Sequence, residues 1–199
     1  MQLIMSAASP YVRKVRVLIR EADLLDVVEE VAVATTPLKS DSKALAANPT
    51  GKIPSLLRND GPALYDSRVI TRYLDDHANA GFYPQTRIWE VLTLEATADA
   101  IMDATVAMSY ETRLRPENEQ SPDWVEAQWG KAGRAISAIN DRWMSHLSGP
   151  MDMSHIAVAC ALSYIDLRHD VRAWRLGNDA LAKWHMTMVE RASFNDTAA

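Results

Sequence analysis

The feature that most restricts the fold is a change of pattern partway along the chain. Up to residue 78, short apolar runs alternate with helical stretches, and beyond that point no strand-like segment appears. Layers of one kind do not accommodate such a switch, so the sequence predicts a small α/β domain over residues 1–78 and an all-helical domain over 86–199. Residues 79–85, with Gly81 and Pro84, read as the linker.

In the first part, Gln2 to Met5 reads as a strand and Pro10 to about Ala22 as a helix. Val12, Val15, Leu18, Ile19 and Ala22 share one face of that helix, and Arg13, Lys14, Arg16 and Arg20 cover the rest. Val27 to Val33 is β-branched and reads as a second strand. Lys39 to Ala47 is a short helix stopped by Asn48-Pro49. Ile53 to Leu57 and Ala63 to Tyr65 read as strands of a hairpin around Asn59-Asp60-Gly61. Ser67 to His77 is then helical, so the order is β-α-β-α-β-β-α. Strand–helix–strand units predict parallel pairing, and the hairpin adds an antiparallel edge.

The second part predicts a long helix from Thr86 to about Arg113, broken by Pro116 to Pro122. Ser121-Pro122-Asp123 opens the next helix, which runs to about Leu147. Asp152 to about His169 is apolar enough for the buried helix of a bundle, and a last helix spans about Asp179 to Arg191. Lys plus Arg is 21 against 26 for Asp plus Glu, a net charge of -5, which lacks the basic excess of a nucleic-acid binder. No apolar run is long enough to span a bilayer, and the N-terminal stretch has its charges after the apolar residues, the wrong order for a secretory signal. Cys160 is the only cysteine, so disulfides within the chain and CxxC pairs are excluded. These features lead to the expectation of a cytoplasmic protein.

Three motifs are specific as a set. Ser9-Pro10-Tyr11-Val12-Arg13-Lys14 opens the first helix. Asn48-Pro49-Thr50-Gly51-Lys52-Ile53-Pro54 precedes the third strand, and Tyr65-Asp66-Ser67-Arg68-Val69-Ile70 opens the third helix. Over essentially its whole length the chain resembles the cytosolic glutathione transferase superfamily, most of all bacterial members that start SPF/SPY-V-R-K. The resemblance implies a thioredoxin-like α/β domain followed by an all-α helical bundle. It also implies a cytoplasmic homodimer with a detoxifying transferase activity.

The thiol of glutathione must ionise before it can attack an electrophile, and a thiol of pKa near ~8.5 is only a few per cent ionised at neutral pH. A hydroxyl donor and the positive end of a helix both lower that pKa. Ser9 supplies the hydroxyl and the helix starting at Pro10 supplies the dipole, which makes Ser9 the candidate catalytic residue. Read locally, Ser9 is an ordinary helix cap with proline next to it, as at Ser121-Pro122, and Ser6 and Tyr11 are rival hydroxyls. Ser9 stands where glutaredoxin-like relatives carry the reactive cysteine, and a serine cannot form a mixed disulfide.

The resemblance further implies that Pro54 follows a cis bond and that the Ile53 backbone pairs with the cysteinyl unit of glutathione. Lys52 is either a partner for a glutathione carboxylate or a solvated lysine. Asp66 and Ser67 suit the γ-glutamyl ammonium and carboxylate at a helix start, or are plain caps. In the second domain, Glu95, Asp99 and Asp103 form a stripe that reads as a solvated face. The resemblance offers Asp103 or Asp99 as an acid for the γ-glutamyl ammonium. Tyr110, Met102, Met108 and Trp174 are candidates for an apolar second-substrate pocket, or core.

One departure stands out. The family usually opens its buried helix with Ser/Thr-x-x-Asp, whereas this chain has Asp152-Met153-Ser154-His155. Asp152 can cap the helix and Met151 can pack on Ile156, but His155 cannot act as a carboxylate acceptor, which bears on folding and not on catalysis. The five histidines lack metal-ligand spacing such as HExxH, so no metal is expected. The function expected is that of a glutathione transferase whose cosubstrate is reduced glutathione and whose second substrate is a small apolar electrophile. The alternatives are a noncatalytic binding or regulatory protein on the same scaffold and a glutathione-dependent reductase.

Overall fold

Three short strands form a sheet of order β2-β1-β3, from β1 (Gln2–Met5), β2 (Glu29–Ala32) and β3 (Ser55–Leu57). This arrangement comes from a computed structural model that describes all of Met1–Ala199. β1 runs parallel to β2, with Gln2 opposite Glu29, and antiparallel to β3, with Ile4 opposite Ser55. Helices α1 (Pro10–Glu21), α2 (Ser42–Ala47) and α3 (Ser67–Ala78) complete the α/β part. The expected fourth strand at Ala63 to Tyr65 is reduced to a single bridge between Leu56 and Leu64. Pro62 has no N–H to extend the ladder, its carbonyl is taken by Arg58 Nε at 3.0 Å, and α3 is capped by Asp66 only two residues past the bridge.

The predicted apolar face of α1 is buried at Val12, Val15, Leu18 and Ile19. Each such side chain contributes roughly 1.5–3 kcal/mol when fully removed from water. The opposite face differs from expectation, because Lys14 is fully buried and Arg16 nearly so. The chain divides into one unit made of Met1–Gln85 with Arg191–Ala199 and a second made of Thr86–Glu190. The final nine residues, read from sequence as part of the helical domain, therefore belong with the first unit. They include α9 (Ala192–Asn195), and Phe194 and Thr197 are buried. Arg13 Nη2 donates to the Phe194 carbonyl at 3.0 Å, with its guanidinium 5.5 Å from the Phe194 ring centre. Arg191 forms a two-pronged pair with Glu21 at 2.7 and 2.8 Å, and the Ser193 hydroxyl donates to the same carboxylate at 2.5 Å. Arg16 and Arg20 share Glu30 at 2.8 and 2.9 Å.

The segment read as a linker is pinned to α3. The Asp75 carboxylate accepts the backbone N–H groups of Phe82 at 2.6 Å and Tyr83 at 3.1 Å. The Tyr83 hydroxyl meets Thr71 at 2.8 Å.

The second unit is helical throughout, with α4 (Ile88–Leu114), α5 (Pro122–Arg142), α6 (Met144–Leu147), α7 (Met153–His169) and α8 (Asp179–Val189). The helix expected to run on to Leu147 breaks at Trp143, which separates α5 from α6. Every residue from Asp152 to Ile165 is buried, so α7 is the central helix that its composition predicts, and Cys160 is part of that core. Glu95 and Asp99 are buried on α4, contrary to the solvated-face reading, while Asp103 is exposed. At the start of α7, Asp152 Oδ1 accepts the Ser154 N–H at 3.0 Å. The reciprocal half of the capping box is made after all, because the Asp152 N–H donates to the imidazole Nδ1 of His155 at 3.3 Å.

Candidate functional site

One end of the three-stranded sheet gathers the sequence candidates of the first unit. β1 leaves that end through Ser6 and reaches Ser9 at the start of α1. β3 is antiparallel to β1, so Ile4 opposite Ser55 sets Pro54 beside the exit of β1. The bridge at Leu64 is antiparallel to β3, so the chain returns to the same end at Asp66. Sheet register therefore brings together Ser9, the Lys52-Ile53-Pro54 segment and Asp66-Ser67.

Ser9 has extended backbone and caps α1, its Oγ accepting the Val12 N–H at 3.4 Å. Its own N–H donates to the Ser6 carbonyl at 3.1 Å. As acceptor of one bond the hydroxyl keeps its proton for a further partner. Pro10 occupies the first turn, and that turn contains no acidic side chain. The positive end of the 12-residue helix is therefore not neutralised from within.

The Lys52-Ile53-Pro54 segment is built from a side-chain-knit turn. The Asn48 side chain accepts from the Thr50 N–H at 3.0 Å and donates to the Lys52 carbonyl at 3.1 Å. Gly51 sits at φ +66, which favours glycine, and a Cβ there would meet Ser40 Oγ at 2.6 Å, so Ser40 would have to shift. The Ile53–Pro54 peptide is cis, as the resemblance implies, and so is Tyr65–Asp66. Lys52 is exposed and Ile53 half-buried. A backbone edge in this position, without the full β-ladder, offers peptide hydrogen bonds to an extended ligand.

Asp66 caps α3 by accepting the Arg68 N–H at 3.0 Å, and Ser67 is buried in the first turn. Burial raises the Asp66 carboxyl, but the hydrogen bonds and charge of Arg68, aided by Lys14, outweigh it and hold the group below its ordinary range. Asp66 is consequently an anion at neutral pH, its side chain 59% exposed and accessible to a cation. Tyr65, just before this cap, is exposed.

The other candidates belong to the second unit. Asp103 lies on α4 in the second unit. Met102, Met108 and Trp174 are buried core, which leaves Tyr110 as the one accessible member of the proposed apolar set. Sequence reasoning missed Lys14, whose charge supports Asp66 from the buried side of α1. Its neighbours Arg13 and Arg16 gave it the look of a solvated basic face. The grouping of His146, Asp152 and His155, whose ligand atoms lie within 4.8 Å of one another, was also missed because it is not a short-range spacing.

Comparison with known proteins shows the family. Residues 8–77 match the model of the glutathione S-transferase N-terminal domain, and residues 122–185 match that of the C-terminal domain. The uncharacterized GST-like protein YibF of Escherichia coli strain K12 is 28% identical over 203 residues, spanning 99% of this chain and 98% of that protein. A glutathione transferase family member from Pseudomonas fluorescens Pf-5, solved with bound glutathione, is 38% identical with a TM-score of 0.96, over 99% of this chain and 98% of that one. A second structure of a family member from that source holds S-(propanoic acid)-glutathione, at 38% identity and the same coverage, with a TM-score of 0.91. With one family domain matched in each unit and relatives that align from end to end, the chain belongs to the glutathione S-transferase family.

Proposed function

We propose that the protein is an enzyme, a glutathione transferase that binds reduced glutathione at the end of the sheet where Ser9, Ile53-Pro54 and Asp66-Ser67 meet. The observation that carries this reading is Ser9. It caps a helix whose first turn holds no acid, and it retains a hydroxyl proton to donate. That donor and the helix end stabilise a thiolate relative to a thiol, which lowers the thiol pKa. The thiol proton passes to solvent. The thiolate lone pair then forms a C–S bond with a small apolar electrophile, whose leaving group departs with its bonding pair or whose multiple bond accepts it. The rate gain comes from ionisation and positioning.

Asp66 accepts from the γ-glutamyl ammonium, and the Ser67 hydroxyl and first-turn N–H groups of α3 receive the adjoining carboxylate. In this reading the Ile53 backbone pairs with the cysteinyl unit and the exposed Lys52 meets the far carboxylate. The relatives bound to glutathione and to an S-substituted glutathione support a conjugating role. We include a cytoplasmic homodimer in the proposal, and a sedimentation mass equal to one chain would remove the dimer from it.

The test is a calorimetric titration with reduced glutathione, read alongside thiolate absorbance across pH. Binding with a lowered thiol pKa is expected. Binding without that shift would overturn the assignment of an activated nucleophile, and no binding at millimolar glutathione would overturn the reading as a whole.

A further inference from the structure

We propose that Ser55 is a positioning residue for glutathione. Its hydroxyl, together with the Asn48 side chain, fixes the plane of the Lys52–Ile53 peptide and so aims the Ile53 N–H at the cysteinyl unit. The inference rests on the reading of this end of the sheet as the glutathione site. Ser55 is the first residue of β3 and is fully buried. Its backbone is held opposite Ile4 of β1, itself in the core. Its Oγ donates to the Lys52 carbonyl at 3.2 Å. The same carbonyl accepts from Asn48 Nδ2 at 3.1 Å.

A carbonyl oxygen has two lone pairs, and at Lys52 two side-chain donors engage it. Lys52–Ile53 is a trans peptide, so its N–H lies opposite its C=O. Holding the carbonyl from two sides therefore sets the direction of the Ile53 N–H as well. That N–H donates to no group of the chain. The Ile53 side chain packs on the cluster of Ile4, Ala44 and Ala47, which anchors the residue from its other side. A donor on a backbone that cannot swing is a preorganised contact, because its ordering takes place in folding and not in binding.

The two donors reach the carbonyl from different supports. Asn48 ends α2, its N–H donating to the Ala44 carbonyl at 2.8 Å. Its Oδ1 accepts from the N–H and the hydroxyl of Thr50, at 3.0 and 2.9 Å, so Asn48 shapes the whole turn. Ser55 comes from the sheet, and its hydroxyl has the Lys52 carbonyl as its partner. Alanine at this position would remove that donor and leave the backbone pairing of β3 with β1 in place. The Lys52 carbonyl would then be held by Asn48 alone, and the peptide would be free to rock. Being fully buried, Ser55 acts on the ligand through this peptide and not by touching it. The cap of α1 at Ser9 is a separate support, so ionisation of the bound thiol does not depend on Ser55.

The experiment compares the wild-type chain, Ser55→Ala and Ser55→Thr in calorimetric titrations with reduced glutathione. Thiolate absorbance across pH, the NMR shift of the Ile53 amide proton and the thermal midpoint are read alongside. Ser55→Ala should weaken binding about fivefold, the effect of one hydrogen bond, and should leave the pKa of the bound thiol unchanged. It should also reduce the change in the Ile53 amide shift on binding. Ser55→Thr keeps the hydroxyl and should bind within about twofold of the wild type. A serine that is merely structural gives a lower thermal midpoint with unchanged affinity, and that result would overturn the proposal. A thiol pKa that moves together with affinity would overturn it too, because the whole site would then have shifted. Ser55→Thr binding as weakly as Ser55→Ala, at the wild-type thermal midpoint, would show that the hydroxyl is not the operative group. A wild-type chain that does not bind glutathione would remove the glutathione reading and this inference together, whereas unchanged affinity in Ser55→Ala beside a wild type that binds removes the inference alone.

Discussion

Two helices in this molecule begin with the same dipeptide and end up in different chemistry. Ser9-Pro10 opens α1 and Ser121-Pro122 opens α5, and each serine accepts the N–H of the residue three places on, at 3.4 and 3.3 Å. The caps differ in what surrounds them. Pro10 is buried and Ser9 half-buried at the end of a sheet, whereas Ser121 and Pro122 are exposed after a 3-10 turn at Glu117–Glu119. α5 carries Asp123 in its first turn, which answers its own dipole, while α1 carries no acid there. A capping serine is thus a local device. What gives one of the two a prospective reaction is an unanswered helix end placed where two other segments converge.

The largest expected effect tests that contrast directly. Ser9→Ala should lower the rate of conjugation on the order of 100-fold and raise the pKa of bound thiol, with little change in glutathione affinity. Unchanged pH–rate behaviour would hand the role to Ser6, Tyr11 or the backbone. Asp66→Ala should act on affinity, weakening glutathione binding about tenfold, or about 1.4 kcal/mol, in a calorimetric titration. If affinity holds, the γ-glutamyl group is misplaced. Ser121→Ala should cost about 1 kcal/mol of stability and lower the thermal midpoint by about 2–4 °C, with activity intact. A loss of activity in that variant would erase the distinction between the two caps.

The smallest effect concerns the far end of α1, held by Glu21 and Arg191. Burial raises the Glu21 carboxyl, but hydrogen bonds from Arg191 and Ser193, with the charge of Arg191, hold it below its ordinary value. A group lowered on folding contributes stability above its unfolded pKa and loses it as pH falls through the folded one. Acidification below about pH 4 should therefore loosen the final segment, seen as faster amide exchange at Phe194. Glu21→Gln should flatten that acid dependence, and an unchanged dependence would assign it to another carboxylate.

Much of this architecture was legible in residue order. Strand β1 and helices α1, α3 and α7 stand within a residue or so of where periodicity and caps put them, because their signals are local. The segment at Ala63 to Tyr65 misled because strand propensity says nothing of the donor missing at Pro62. Arg16 misled because a basic helix face looks solvated until a segment more than 170 residues away is seen to bond to it, and Lys14 misled because its burial is not signalled by its charge. Glu95 and Asp99 show the same limit, since charge alone does not report burial. At the candidate site, each of Ser9, Pro54 and Asp66 could be marked by type, but only the pairing of Ile4 with Ser55 and of Leu56 with Leu64 explains why they share one end of the sheet.

The discontinuous first unit sets a timetable for synthesis. Residues 1–85 leave the ribosome early, yet Arg191–Ala199, which completes their packing, is made only after Thr86–Glu190. At elongation rates of about 5–20 residues per second the interval is about 5–20 s. Throughout it the nascent chain presents a basic stripe at Arg13 and Arg16, and Glu21 waits without Arg191 and Ser193. The unit begun first is therefore completed only after the whole of the second unit has been made.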